Sequence, residues 1–214
     1  MTKTKTLATC AVLVAMAFVL ALLSEFIPLQ LPFGGSVTLA SMLPIVLISY
    51  IFGVKRGVGS AFIFAILQMI LGSKTISALF LPGDEQVIWW KAVLICLLDY
   101  IVAFTVIGLA GIFVKKIKSN CIALMVGTAF ALFLRYIVHI VSGALFYGMW
   151  AEWFFSEAGA FGQTVLSSLS GSALAWFYSV CYNGLYMIPE IVLTTILAGV
   201  LATLLPKLVK PLNK

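Results

Sequence analysis

The sequence predicts an all-α membrane protein of six transmembrane helices with both termini cytoplasmic, and three observations carry that reading. Of its 214 residues, 63% are hydrophobic and only 9% are charged, whereas soluble domains carry about a quarter charged residues. Sixteen Phe, seven Tyr and five Trp add large apolar area, more than a chain this short hides inside one water-facing core. The cations behind the net charge of +6 lie mainly between apolar runs, so they report topology and not a nucleic-acid partner. A soluble globular domain is excluded. Residues 1–214 are read as a single integral membrane domain, and any ATPase that drives it is expected to be a separate protein.

Backbone polar groups cannot stay unpaired in hydrocarbon, and the apolar runs lack the alternation of barrel strands, so the spans are expected to be α-helices. The first, at 6–24, follows Lys3 and Lys5 as a signal peptide would. Its apolar run from Leu7 to Leu23 is long for one and no clean cleavage site follows, so it is read as retained. Pro28, Pro32 and Gly34-Gly35 then break the chain before a second span at 37–53, and Gly53 to Gly57 turn it into a short, Gly-rich third at 57–72. Pro82-Gly83 precedes the fourth span, 88–113, and Lys115 to Asn120 marks the turn into the fifth, 120–148. A Ser- and Gly-rich stretch, 149–172, leads to the sixth at 173–204.

Six spans segregate the charges. Lys3, Lys5, Lys55, Arg56, Lys115, Lys116, Lys118, Lys207, Lys210 and Lys214, ten of the thirteen cations, then share one side, as cytoplasmic loops do. Glu25, Asp84, Glu85, Glu152 and Glu157 fall on the other. An odd number of spans would destroy this separation. The four cysteines, Cys10, Cys96, Cys121 and Cys181, show neither CxxC pairing nor His spacing, so neither a metal nor a cofactor is expected.

Asp99, Arg135, His139 and Glu190 are ionisable residues inside spans, where each is a functional-site candidate by default. Asp99, His139 and Asn183 sit on three different helices at one depth, about 14 Å below the outer ends. Arg135 and His139 share a face at i, i+4. Tyr and Trp residues crowd the same level and above it, partly as an interfacial belt that includes Trp89 and Trp90. An outward-opening pocket floored by the acid, the imidazole and the amide accounts for both observations and suits a flat, cationic, heteroaromatic ligand. The alternative for the polar set is a buried Asp99–Arg135 pair that only fixes packing. Glu190, deeper and next to Pro189, is left outside the site. No GxSxG, HExxH or P-loop is present, which leaves an Asp99/His139 acid–base pair in an intramembrane enzyme as the catalytic alternative.

Leu97-Leu98-Asp99-Tyr100-Ile101-Val102-Ala103-Phe104, then Leu134-Arg135-Tyr136 with His139 and Ser142-Gly143, then Tyr178-Ser179 with Tyr182-Asn183, resemble segments of the thiamine-specific substrate-binding subunits (S-components) of energy-coupling factor (ECF) transporters. Gly34-Gly35-Ser36-Val37 and Met42-Leu43-Pro44-Ile45 are similar to that family's first loop and second helix. The resemblance runs in order through nearly the whole chain. It implies an S-component-like six-helix bundle that captures thiamine outside the cell and works with a transmembrane coupling protein and two cytoplasmic ATPases. It further implies Asp99 on the aminopyrimidine, Tyr100, His139, Tyr178 and Asn183 as further pocket residues, and an aromatic at Tyr147 stacked on the ligand. Ala11 and Ala15 match small residues that face the coupling protein. Another vitamin or a thiamine precursor remains the alternative ligand. Some relatives carry Glu at the position of Asp99 and a Trp in the first loop, where this chain offers Phe33 and the Gly34-Gly35 pair as its gate.

Overall fold

The computed structural model describes residues 2–26, 35–83, 86–204, 206 and 211. Expectations for Pro28, Pro32, Phe33, Gly34, Asp84, Glu85, Lys207, Lys210 and Lys214 fall outside the described residues. The architecture is helical: α1 (Lys3–Ser24), α2 (Leu43–Phe52), α3 (Val54–Leu71), α4 (Ser73–Phe80), α5 (Trp89–Phe113), α6 (Asn120–Phe146), α7 (Ala151–Ser156), α8 (Gly159–Ser168) and α9 (Gly171–Leu204). Five of these, α1, α3, α5, α6 and α9, are long and apolar enough to cross a membrane. The expected second span, 37–53, is helical only from Leu43, and its helix has 10 residues.

The shortfall in α2 has a physical cause. Residues before Leu43 descend as non-helical chain, which survives at membrane depth only where protein satisfies its backbone. Glu190 of α9 accepts from the Thr38 N–H at 2.6 Å and from the Thr38 hydroxyl at 3.0 Å. Ser24, the last residue of α1, accepts the Leu39 N–H at 2.8 Å, and the Thr38 hydroxyl oxygen accepts the Ser41 N–H at 3.2 Å. Ala40, at φ 51°, makes the left-handed turn into the helix, whose first turn holds Pro44, where a missing N–H costs nothing.

The turn between α2 and α3 is one residue, Gly53, at φ 94°, not the five-residue loop expected; Lys55 and Arg56 belong to the first turn of α3. α5 is one rod in three registers: an α-helical entry at Trp89–Cys96, a π-helical turn at Leu97–Val102 and a 3-10 exit at Val106–Phe113. The 3-10 segment is wedged by Ser49 of α2, whose hydroxyl donates to the Gly108 carbonyl and accepts from the Gly111 N–H. α3 and α5 cross backbone to backbone where Gly57 meets Gly108, the close approach that small residues permit between membrane helices. The helix α4 was not anticipated.

The core divides by level. One apolar cluster, including Ile45, Ile48, Phe64, Ile107 and Leu132, joins α1, α2, α3, α5 and α6. A second, built from Tyr136, Phe155, Tyr178, Tyr182, Tyr186 and Met187, joins α6 to α9 and to α7. Between Phe146 and Gly171 the chain does not loop away. Phe154 of α7 packs edge-on against Tyr178 and Tyr182, with ring centroids 5.4 Å and 5.9 Å apart, so the connection caps this end of the bundle.

Candidate ligand-binding site

α5, α6 and α9 bring Asp99, His139 and Asn183 together. The π-helical turn widens α5 at Asp99, and such turns recur at functional sites because the extra residue re-aims a side chain. Asp99 Oδ1 lies 3.1 Å from His139 Nδ1, and its Oδ2 accepts from the Ser142 hydroxyl at 2.9 Å. His139 and Ser142 reach one carboxylate because i and i+3 share a helix face. The packing alternative, an Asp99–Arg135 pair, is not formed; the Asp99 partner is His139. Arg135 instead lies 4.2 Å from the centroid of the Phe104 ring and reaches Met42 Sδ with Nη1 at 2.8 Å.

Asn183 braces the His139 backbone from α9. Its Nδ2 donates to the His139 carbonyl at 3.2 Å and to the Ser179 carbonyl at 2.9 Å, and its Oδ1 accepts from the Tyr186 hydroxyl at 2.6 Å. Tyr186 also meets His139 edge-on, with ring centroids 6.0 Å apart. α6 and α9 come this close because residue 143 is glycine: a Cβ there would meet Ser179 Oγ and lie 3.0 Å from Asn183 Nδ2. His139 and Asn183 are 8% and 7% exposed and Tyr178 3%, whereas the Asp99 side chain keeps 19%. His139 Nε2 and Arg135 Nε are buried and find no hydrogen-bond partner among the described residues. That leaves an imidazole nitrogen and a guanidinium N–H beside a carboxylate as the unused polar capacity of the site.

The remaining expected residues are spread around this centre. Tyr178 belongs to the aromatic wall under the cap. Tyr147 ends α6 and packs both on that wall and on the cluster of Ile95 and Cys96 in α5. Tyr100 follows Asp99 on the π turn, with its hydroxyl near Gly72 at the junction of α3 and α4. Ala11 and Ala15 are exposed on α1, away from its buried face of Cys10, Val14, Ala17 and Ala21. Among the described residues no group of three His, Cys, Asp or Glu could hold a metal, and all four thiols are free.

Sequence reasoning met Ser142 and Ser179 only within the resembling segments and Tyr186 only among the crowded aromatics, and gave none of them a role in the site. Their signal was present as spacing, since Ser142 follows His139 by three and Ser179 and Tyr186 flank Asn183 at one turn on either side. It also left Glu190 outside the site. Tyr182, Tyr186 and Glu190 recur every four residues on α9, and that face holds the descending chain: the Tyr182 hydroxyl bonds the Gly35 backbone, Gly35 lies against the Tyr186 ring, and Glu190 holds Thr38. One helix face therefore touches both the polar centre and the exit of the first loop.

A family model described as thiamine transporter protein (Thia_YuaJ) matches residues 7–156. The chain belongs to the thiamine transporter protein family. It is 32% identical over 209 residues to the thiamine transporter ThiT of Bacillus subtilis (strain 168), covering 94% of this chain and 91% of that protein. It is 30% identical over 121 residues to the ThiT of Lacticaseibacillus paracasei, covering 52% of this chain and 51% of that one. A solved structure of ThiT from Listeria monocytogenes superposes with a TM-score of 0.66 over 98% of this chain and 99% of that one, at 22% identity, which shows a shared fold. Membership in this family makes the chain a multi-pass bacterial membrane protein of transport and not an enzyme, and removes the intramembrane-enzyme alternative for Asp99 and His139.

Proposed function

We propose that the chain is the high-affinity thiamine-binding subunit of an ECF-type uptake system, taking thiamine at the end capped by α7 and α8. The observation that carries this reading is the carboxylate of Asp99, held at membrane depth beside an imidazole whose Nε2 has no partner among the described residues. Thiamine presents an aminopyrimidine that donates N–H bonds and a thiazolium that carries positive charge. A partly buried carboxylate answers the first, and the faces of aromatic rings answer the second. Asp99 accepts from the pyrimidine edge, His139 offers Nε2, and Tyr100 and Tyr147 contact the rings. Tyr178 and Asn183 supply further polar contacts, for which Asn183 exchanges its bond from Tyr186 for one to the ligand.

In this reading the end carrying Lys55, Arg56, Lys115 and Lys116 faces the cytoplasm, as the charge bias requires, and both termini lie there. α1 offers Ala11 and Ala15 to a coupling protein, and two separate ATPases supply the energy. Titration of the purified chain with thiamine tests the central claim. Trp150, half-buried beside the aromatic wall, should be quenched saturably at sub-micromolar thiamine. A linear, non-saturating response would remove thiamine as the ligand.

A further inference from the structure

At the end of the bundle away from the cap, the last turn of α2, the start of α3, the end of α5 and Pro211 line a half-open cavity of about 670 Å³. Phe52 and Ile112 contribute apolar wall, and Lys55, Arg56, Lys115 and Lys116 contribute four cations. Of the acidic residues, Glu25, Asp99, Glu152, Glu157 and Glu190 are among the described residues, and none of these five lines the cavity. Four like charges thus surround one concavity, with no acidic side chain among its described lining residues.

α3 opens at the cavity with Gly53 as its cap and no side-chain acceptor for its first amides, while α2 and α5 end there, so the helix dipoles oppose one another and the side-chain cations carry the field. The Arg56 guanidinium is tethered by Nη1 to the Phe52 carbonyl at 3.0 Å, so one edge of the fork is fixed while the rest can meet an external acceptor. The cavity also sits where the apolar rods end, which is the level of lipid phosphates.

We infer that this cavity binds the phosphate of an anionic phospholipid, with Lys55, Arg56, Lys115 and Lys116 around the headgroup and Phe52 and Ile112 against the glycerol and first acyl carbons. An inorganic anion would leave the apolar wall unused, and an acidic protein segment would reach only the exposed rim. Basic pockets between membrane helices hold acidic headgroups in this way. The inference stands apart from the thiamine reading, because it uses no residue of the ligand site.

The test is native mass spectrometry of the detergent-purified chain titrated with phosphatidylglycerol and, in parallel, with phosphatidylcholine of the same acyl chains. The expected result is preferential retention of phosphatidylglycerol by about tenfold or more. Replacing Lys55, Lys115 and Lys116 by Gln together should reduce that preference to about twofold, while Lys74→Gln, on α4, leaves it unchanged. Unaltered thermal unfolding would show that the triple variant is folded, and the wild-type comparison of the two lipids decides the matter without it. Equal retention of both lipids overturns the inference. So does displacement of phosphatidylglycerol by millimolar inorganic phosphate, which would mark a small-anion site, or by a poly-glutamate peptide, which would mark a protein-docking site.

Discussion

Asp99 is the residue whose chemistry is easiest to isolate, because Asn keeps its shape and removes its charge. In the proposed complex the carboxylate accepts from the ligand, from Ser142 and from His139, and a bound ligand that covers it magnifies the loss of a charged acceptor. Asp99→Asn should therefore weaken thiamine binding by about 1–3 kcal/mol, read by the same tryptophan titration. Unchanged affinity would make Asp99 a packing residue. Glu190 belongs to a different problem. It is 1% exposed and accepts three bonds, two from Thr38 and one from Thr194, so its removal strands the Thr38 N–H inside the bundle. Glu190→Ala should lower stability by about 1–3 kcal/mol, visible as a lower melting temperature, with Glu190→Gln milder because an amide oxygen can still accept. Sequence reasoning placed Asp99, His139 and Asn183 at one level because a charged or amide side chain in lipid has few other reasons to exist. It left Glu190 outside the site, since two of its three partners, the Thr38 N–H and hydroxyl, lie 152 residues away in sequence on a non-helical stretch that hydropathy does not register.

At the scale of elements, the long helices were legible and their irregularities were not. α5 and α9 begin within about two residues of the expected spans because apolar length against bilayer thickness sets them. The 3-10 exit at Val106–Phe113 and the short α2 depend instead on tertiary partners, Ser49 for the first and Ser24 and Glu190 for the second, which hydropathy cannot register. The contact between α6 and α9 rests on one glycine. In Gly143→Ala the new methyl would press on Ser179 Oγ, itself bound to the Ile140 carbonyl at 2.7 Å, and separate the helices that hold His139 and Asn183. The expected cost is about 1–3 kcal/mol, divided between thermal stability and ligand affinity. Gly59→Ala, where no atom lies within 4 Å of the added carbon, is the control and should change neither.

For the whole molecule, capture and delivery are separable tasks, and the structure puts their proposed surfaces in different places. The polar centre lies among α5, α6 and α9, whereas Ala11 and Ala15 are exposed on the outer face of α1 near Leu7, Val12 and Met16. Small side chains on an outward helix face let a second helix approach closely, and packing is what associates helices once lipid has removed the hydrophobic drive. Larger side chains there would hold a coupling protein off without disturbing α1 itself, whose inward contacts run through Cys10, Val14, Ala17 and Ala21. Ala11→Leu combined with Ala15→Leu should therefore leave thiamine titration of the purified chain unchanged, while uptake by cells that also make the coupling protein and ATPases falls by about tenfold or more, as a loss of roughly 1.4 kcal/mol or more in association would produce. Unimpaired uptake would move the partner surface elsewhere. Loss of binding and uptake together would instead mean that α1 supports the site, and that capture and delivery are one surface.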